Sequence, residues 1–399
     1  MHRLFFISPL LVALTAMAGE APPTSNYDGD VLLLRKNQIA AGDAVIASDV
    51  KRVRADADKA LRAAIVTITQ DKKHVAPGGD PHDYVSLGTY YWPNPDTPNG
   101  LPWINKDGEK NPLKDEYDEP RLMKMCANVR TLALAAYLSG DEKYAARAAE
   151  QIRAWFLDPA TRMNPNLEHA QMQPGKNEGS ATGIIDSRGL TDVTDAALLL
   201  RGFAVWTAAD DAKLKKWFGD YYTWLTTSKN GKREADTTNN HAVWYDVQAA
   251  AIAQYIGDDQ AARQIVEAAK TRRIARQIEP DGSMPRELGR TLSVTYSIFN
   301  LEAFFKLARI ARNSGVDLWN HQTPDGRSLR GALDYMIPYA TGQKDWNLKQ
   351  IKAANYSGIV PLLRQAARVW HDPAYEKAIG QVKDAKGLDR LDFFLPPEK

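Results

Sequence analysis

Cysteine is almost missing from this 399-residue chain: Cys126 is the only one. No intramolecular disulfide can form, so an oxidising compartment would be tolerated but not exploited. A cysteine-linked lipid anchor is excluded on the same ground. An excess of one charge is missing too. Lys and Arg number 51 against 49 Asp and Glu, a formal net charge of +2, which argues against a polycationic face for nucleic acid or for non-specific capture of polyanions. Any acidic ligand must be held by a local cleft. The 7 histidines include no His-x-x-x-His pair, there is no EF-hand loop, and Asp210-Asp211 reads as a solvated helix start. No metal or other cofactor is expected. Strand-like alternation of apolar and polar residues is nearly absent.

One long, largely apolar run is present, from Leu4 to Met17. It follows His2 and Arg3 and ends at Ala16-Met17-Ala18 before Gly19, the pattern of a cleavable secretory signal over residues 1–18 and too short for a membrane span. The expectation is a periplasmic or secreted protein without a membrane anchor, with residues 19–399 as a single domain. Hydrophobic residues make up 44% of the chain, ample for a core. Helical periodicity recurs over 43–70, 120–139, 141–157, 191–207, 211–227, 241–256, 259–278, 292–314, 328–341, 348–370 and 373–382. Short joints marked by Gly or Asp, such as Gly140-Asp141 and Gly257-Asp258, make neighbouring helices antiparallel, and so many of them suggest a ring of helix pairs. Two long segments, 72–118 and 159–190, break the rhythm. The first carries Tyr84, Tyr90, Tyr91, Trp92 and Trp103, too aromatic for disorder.

The densest polar signal is Thr-Asn-Asn-His-Ala-Val-Trp-Tyr-Asp-Val-Gln at 238–248. It places Asn240 and His241 at a helix start, where unpaired N–H groups and the positive end of the helix dipole favour an anion. His241, Tyr245 and Gln248 fall on one helical face at i, i+4 and i+7. The plainer reading is that Asn239 or Asn240 only caps the helix. A second segment, Met284-Pro-Arg-Glu-Leu-Gly-Arg290, precedes a helix beginning near Leu292. Arg290 and Tyr296 lie six apart, about 240° on a continuous helix, so they converge only if Arg290 stands in the loop or at the helix entrance.

The Asn-Asn-His-x-x-Trp helix start, followed some fifty residues later by Pro-x-Glu-Leu-x-Arg and a Tyr, resembles the alginate lyase family of α/α-toroid polysaccharide lyases. Residues 84–95, 100–108, 163–171 and 183–188 are similar to that family as well, and the likeness covers most of the chain. It implies an all-α, incomplete (α/α) toroid with long loops over a cleft. It also implies β-elimination on a β-1,4-linked polyuronate, mannuronate-rich alginate being the expected substrate. The interval from Arg290 to Tyr296 is a residue shorter than in the mannuronate-specific branch and closer to a branch with glucuronan-cutting members, so glucuronan is the alternative substrate.

The chemistry fits the residues. The C5 proton of a uronate is weakly acidic while the C6 carboxylate is charged, so donors that neutralise that group stabilise the enolate-like state. Asn240, His241 and Arg290 suit that role. A tyrosine with its pKa lowered by a nearby cation could serve as base and acid; Tyr245, one turn from His241, and Tyr296, with Arg290 as its cation, are the rivals, and the resemblance makes Tyr296 the expected one. Tyr90, Tyr91 and Trp103 are expected to stack on sugar rings, and the resemblance makes Asn166, His169, Gln171 and Arg188 sugar or carboxylate contacts. Tyr245 and Gln248 are expected to line the same groove. A toroid glycoside hydrolase would need two paired carboxyl groups, and Glu178, Asp186, Asp246, Glu279, Asp281 and Glu287 form no recognisable pair. A non-catalytic glycan-binding protein would need the aromatics but no poised Arg and Tyr.

Overall fold

The computed structural model of the chain describes residues 21–383, 385 and 391–397; the expected signal segment lies outside them. The first half contains α1 (Gly29–Ala40), α2 (Ala47–Arg62), α3 (Glu119–Ser139), α4 (Glu142–Ile152), α5 (Leu190–Leu200), α6 (Ala208–Thr227) and α7 (Lys229–Ala235). There follow α8 (Asn240–Ile256), α9 (Asp259–Ala269), the single turn α10 (Ala275–Gln277), α11 (Pro285–Leu288), α12 (Ser293–Asn313), α13 (Leu329–Ala340), α14 (Ile359–Trp370), α15 (Pro373–Ile379) and α16 (Leu391–Phe394). The Gly-Asp joints work as their chemistry dictates. Gly140 (φ 71°) and Gly257 (φ 90°) end α3 and α8 in the left-handed region, and Asp141 and Asp258 then accept backbone N–H bonds from Lys143 and Ala261 to start α4 and α9.

α8 joins the two main core clusters. Nearly every residue from Asn240 to Tyr255 is buried, the pattern of a helix enclosed on all sides. Tyr245, Ala249, Ile252 and Tyr255 belong to one core cluster, shared with α3, α4, α5 and α6. Val243, Trp244, Val247, Ala250 and Ala251 belong to the other, shared with α9, α12, α13 and α14. Asp246, on the same helix, is paired inside the protein with Arg273, whose Nε and Nη2 donate to its carboxylate at 2.7 and 2.8 Å, the two side chains being 8% and 2% exposed. Removing one partner strands a buried charge. Asp246→Ala is expected to lower stability by about 3–5 kcal/mol; an unchanged melting temperature would show that the pair is replaceable.

Several expected helices are shorter than their periodicity. The 43–70 stretch ends at Arg62, after which Val66 bonds through both backbone groups to the Gln151 side chain. In the 348–370 stretch only Ile359–Trp370 is helical; the carbonyl of Lys349 instead accepts from Ser293 at the head of α12. The 141–157 and 259–278 stretches each pass into a π-turn, at Arg153–Leu157 and Lys270–Ile274. α1 and α7 carried no recognised sequence signal.

The two long segments contain the four short strands. β1 (Val85–Leu87) pairs in parallel with β4 (His169–Met172), and β2 (Tyr91–Trp92) pairs antiparallel with β3 (Ile104–Asn105). Together they lie across the ends of α8 and α12. Trp103 N–H bonds to Pro174 on one side, and Asp107 reaches Arg290 and Thr291 on the other.

Candidate active site

The first turns of α8 and α12 meet these loops around a cleft of about 460 Å³. Asn240, His241, Arg290 and Tyr296 all line it, with Tyr90, Tyr91, Gln171 and Arg188. Asn239 occupies the N-cap position of α8 but makes no side-chain cap bond, so the simple capping reading fails for it. Asn240 is tied elsewhere: its backbone N–H and side-chain Nδ2 donate to the two carboxylate oxygens of Glu287 on α11, at 2.6 and 2.8 Å. His241 Nδ1 donates to Glu234 on α7 at 2.6 Å, which leaves Nε2 as the ring nitrogen able to meet a ligand.

Arg290 stands in the loop between α11 and α12, the one placement that lets it converge with Tyr296. Its guanidinium lies 3.6 Å from the centre of the Tyr296 ring. It is held there by Asp107, which accepts from Nη2 at 2.5 Å and from Nε at 3.2 Å. Burial pushes the Asp107 carboxyl up, but Arg290 and Thr291 outweigh it and hold it at about 2.

The Tyr296 hydroxyl donates to that of Tyr90 at 2.5 Å. Its pKa is raised, not lowered as expected. Burial is the largest influence, and Arg290's opposing charge does not cancel it, while the bond to Tyr90 adds to the rise. Burial thus favours the neutral hydroxyl over the tyrosinate.

Gln171 reaches the cleft through a bulge. Val85 pairs with His169 and Leu87 with Met172, so β4 carries one residue more than β1, and Gln171 takes a left-handed conformation at φ 45°. Such bulges re-aim a side chain next to a site. Nε2 of Gln171 donates to Asp186 at 2.8 Å, and Asp186 also accepts from Ser86 and Tyr84. Burial, then the nearby Glu119, raise the Asp186 carboxyl to about 7 against these donors.

Five expected contacts do not line the cleft. Tyr245 is buried in the core and donates to the Leu225 carbonyl at 3.1 Å. Gln248 is wholly buried, accepting from Ser187 and donating to the carbonyls of Ile184 and Trp244. Only the first turn of α8 reaches the cleft, so the face begun by His241 runs straight into the core. Asn166 caps the Glu168 N–H in its own turn, and His169 pairs with the Glu178 carbonyl, the bulge having separated it from Gln171. Trp103 sits where the two loops meet.

Glu234, Glu287 and Asp107 were missed as supports of the site. Glu287 stands inside the Pro-x-Glu-Leu-x-Arg motif, which was its one available signal. Among the described residues no group of three or more His, Cys, Asp or Glu side chains is arranged to hold a metal ion.

A model of the alginate lyase family matches residues 67–346. The chain belongs to the alginate lyase family. It is a polysaccharide lyase, and its ring of helix pairs is the (α/α) toroid of that family. An alginate lyase from Bacteroides ovatus of known structure is 37% identical, with a TM-score of 0.89 over 94% of this chain and 99% of that one. Alginate lyase A1-III, as a histidine-to-alanine variant complexed with a tetrasaccharide, shares the fold at 16% identity, with a TM-score of 0.58 over 96% of this chain and 98% of that one. A tyrosine-to-phenylalanine variant of the same enzyme, also complexed with a tetrasaccharide, gives 15% and 0.55 over the same shares of the two chains. No curated protein matches the chain.

Proposed function

We propose that this lyase cleaves β-1,4-linked alginate, mannuronate-rich in preference, by β-elimination in the cleft between α8 and α12. The observation that carries the reading is the stacking of Arg290 on Tyr296 in a cleft that Asn240 and His241 also line. The family membership and the Bacteroides relative's description as an alginate lyase support the substrate class.

Asn240, His241 and Arg290 meet the C6 carboxylate, where charge grows as C5 loses its proton. Tyr296, as tyrosinate, takes the C5 proton. The C5–H electron pair becomes the C4–C5 double bond, the C4–O bond breaks, and the same hydroxyl returns a proton to the leaving oxygen. Tyr90, Tyr91, Gln171 and Arg188 hold neighbouring sugars. The segment 1–18 directs export, placing the enzyme in the periplasm or outside the cell, where the polymer is met.

Two experiments test this. Polymannuronate, polyguluronate and polyglucuronate are offered side by side with chelator present, and the ultraviolet absorbance of the unsaturated product is followed. Product should form fastest on polymannuronate; faster cutting of polyglucuronate would transfer the preference to glucuronan. In His241→Ala, kcat should fall by on the order of 10², more than KM rises, because a donor to developing charge is lost. Weakened binding at near-normal kcat would make His241 an ordinary subsite contact.

A further inference from the structure

Asn240 presents a contradiction in sign. Its side-chain oxygen Oδ1 is buried and meets no hydrogen-bond partner, while Nδ2 is committed to Glu287. An unpartnered buried acceptor is costly, and an acceptor is the wrong group to meet a substrate carboxylate. A half-turn of the amide exchanges Oδ1 and Nδ2 without moving any other atom. Glu287 Oε2 then faces the amide oxygen at the same 2.8 Å separation, a distance natural for an O–H···O bond. That bond requires a proton on Glu287.

We propose that Glu287 is a positioning residue that works as a neutral carboxylic acid. Its carbonyl oxygen accepts the Asn240 backbone N–H, and its hydroxyl donates to the Asn240 side-chain oxygen, so that the amide NH₂ is turned toward the uronate carboxylate. The surroundings favour this. Glu287 is 1% exposed, and burial raises its carboxyl above the usual range despite the Asn240 donors and the charges of Arg290 and His241. Arg290, from the loop leading to α12, and His241, from α8, are the charged and titratable groups facing it. Each has its own carboxylate elsewhere, Asp107 and Glu234 respectively, so neither requires Glu287 to be ionised. Tyr296 of α12 lies beneath Arg290. A neutral acid here also spares the site a further anion beside the substrate's own.

The inference rests on the carboxylate-neutralising reading above, and a substitution separates the two. Glu287→Gln reproduces the hydrogen-bond pattern of the acid: an oxygen accepts from the backbone and an NH₂ donates to Asn240 Oδ1. E287Q is expected to fold and to keep kcat within about threefold of wild type at neutral pH, whereas E287A loses on the order of 10² because the amide is no longer oriented. Where wild-type activity declines at alkaline pH as Glu287 ionises, E287Q should hold its activity to higher pH. An E287Q protein that is unfolded, or as inactive as E287A, would show that the carboxylate is required and overturn the proposal. So would pH profiles that superimpose for wild type and E287Q. Failure of the wild type to form unsaturated product would instead remove the lyase mechanism itself, whatever Glu287 does.

Discussion

Tyr296→Phe is expected to lower kcat by at least ~10² while the protein stays folded and still binds oligouronate, because only the titrating oxygen is removed from a side chain otherwise packed at the head of α12. The assay is unsaturated-product formation on polymannuronate, with the melting temperature as control. Loss of the hydroxyl also frees Tyr90 from its bond at 2.5 Å, a minor change beside loss of proton transfer. Retention of more than about a tenth of wild-type turnover would exclude Tyr296 as acid and base. Tyr245→Phe supplies the contrast. Its hydroxyl serves the Leu225 carbonyl inside the core, so that substitution should alter stability and leave kcat near wild type.

The pH dependence follows from the same side chain. Burial raises the Tyr296 hydroxyl and Arg290 only partly opposes it, so the tyrosinate fraction grows with pH across the whole neutral range. On the acid and neutral side kcat/KM should therefore climb as pH rises. A flat profile there would point to a base that is already ionised. Asp107, 183 residues earlier in the chain, bonds Arg290 where it stacks on the Tyr296 ring, so that carboxylate sets the position of the cation most able to favour the tyrosinate.

What could be read from the sequence is what local chemistry decides. The Gly-Asp joints mark real helix ends because a left-handed residue and a capping carboxylate act over three or four residues. Asn240, His241, Arg290 and Tyr296 were legible as a group mainly through their likeness to the alginate lyase motif; helix geometry added only that Arg290 and Tyr296 could converge if Arg290 stood in the loop or at the helix entrance. Tyr245 and Gln248 were misplaced for a physical reason. Periodicity names the residues that share a face, but it does not say whether that face meets a cleft or a second layer of helices, and α8 has helices all round it. Gln171 and His169 could not be told apart because a bulge, invisible in sequence, sends one into the cleft and the other toward Glu178. The carboxylates behind the site were hidden by distance along the chain: Glu287 acts on a residue 47 positions earlier, and Glu234 belongs to a helix too short to show a period.

Reduction of the polymer's carboxyl groups to alcohols should abolish cleavage, the other large effect expected of this enzyme. Two separate losses combine. The C5 proton is no longer beside a carbonyl, so no enolate-like state exists, and Arg290, His241 and Asn240 face a hydroxymethyl group that leaves them unmatched. Methyl esterification separates the two. An ester acidifies C5–H more than a carboxylate does, so without the protein the elimination becomes easier, yet the site loses its anion. Each donor left unpaired costs about 1–3 kcal/mol, more where it is charged, and every 1.4 kcal/mol is about tenfold in rate. If the donors are built for the charged group, the ester is cut at least about tenfold more slowly than the free polymer, despite its more acidic proton. An ester cut as fast or faster would mean that chemical acidity governs the rate, and Asn240, His241 and Arg290 would then be contacts to the sugar and not neutralisers of its carboxylate.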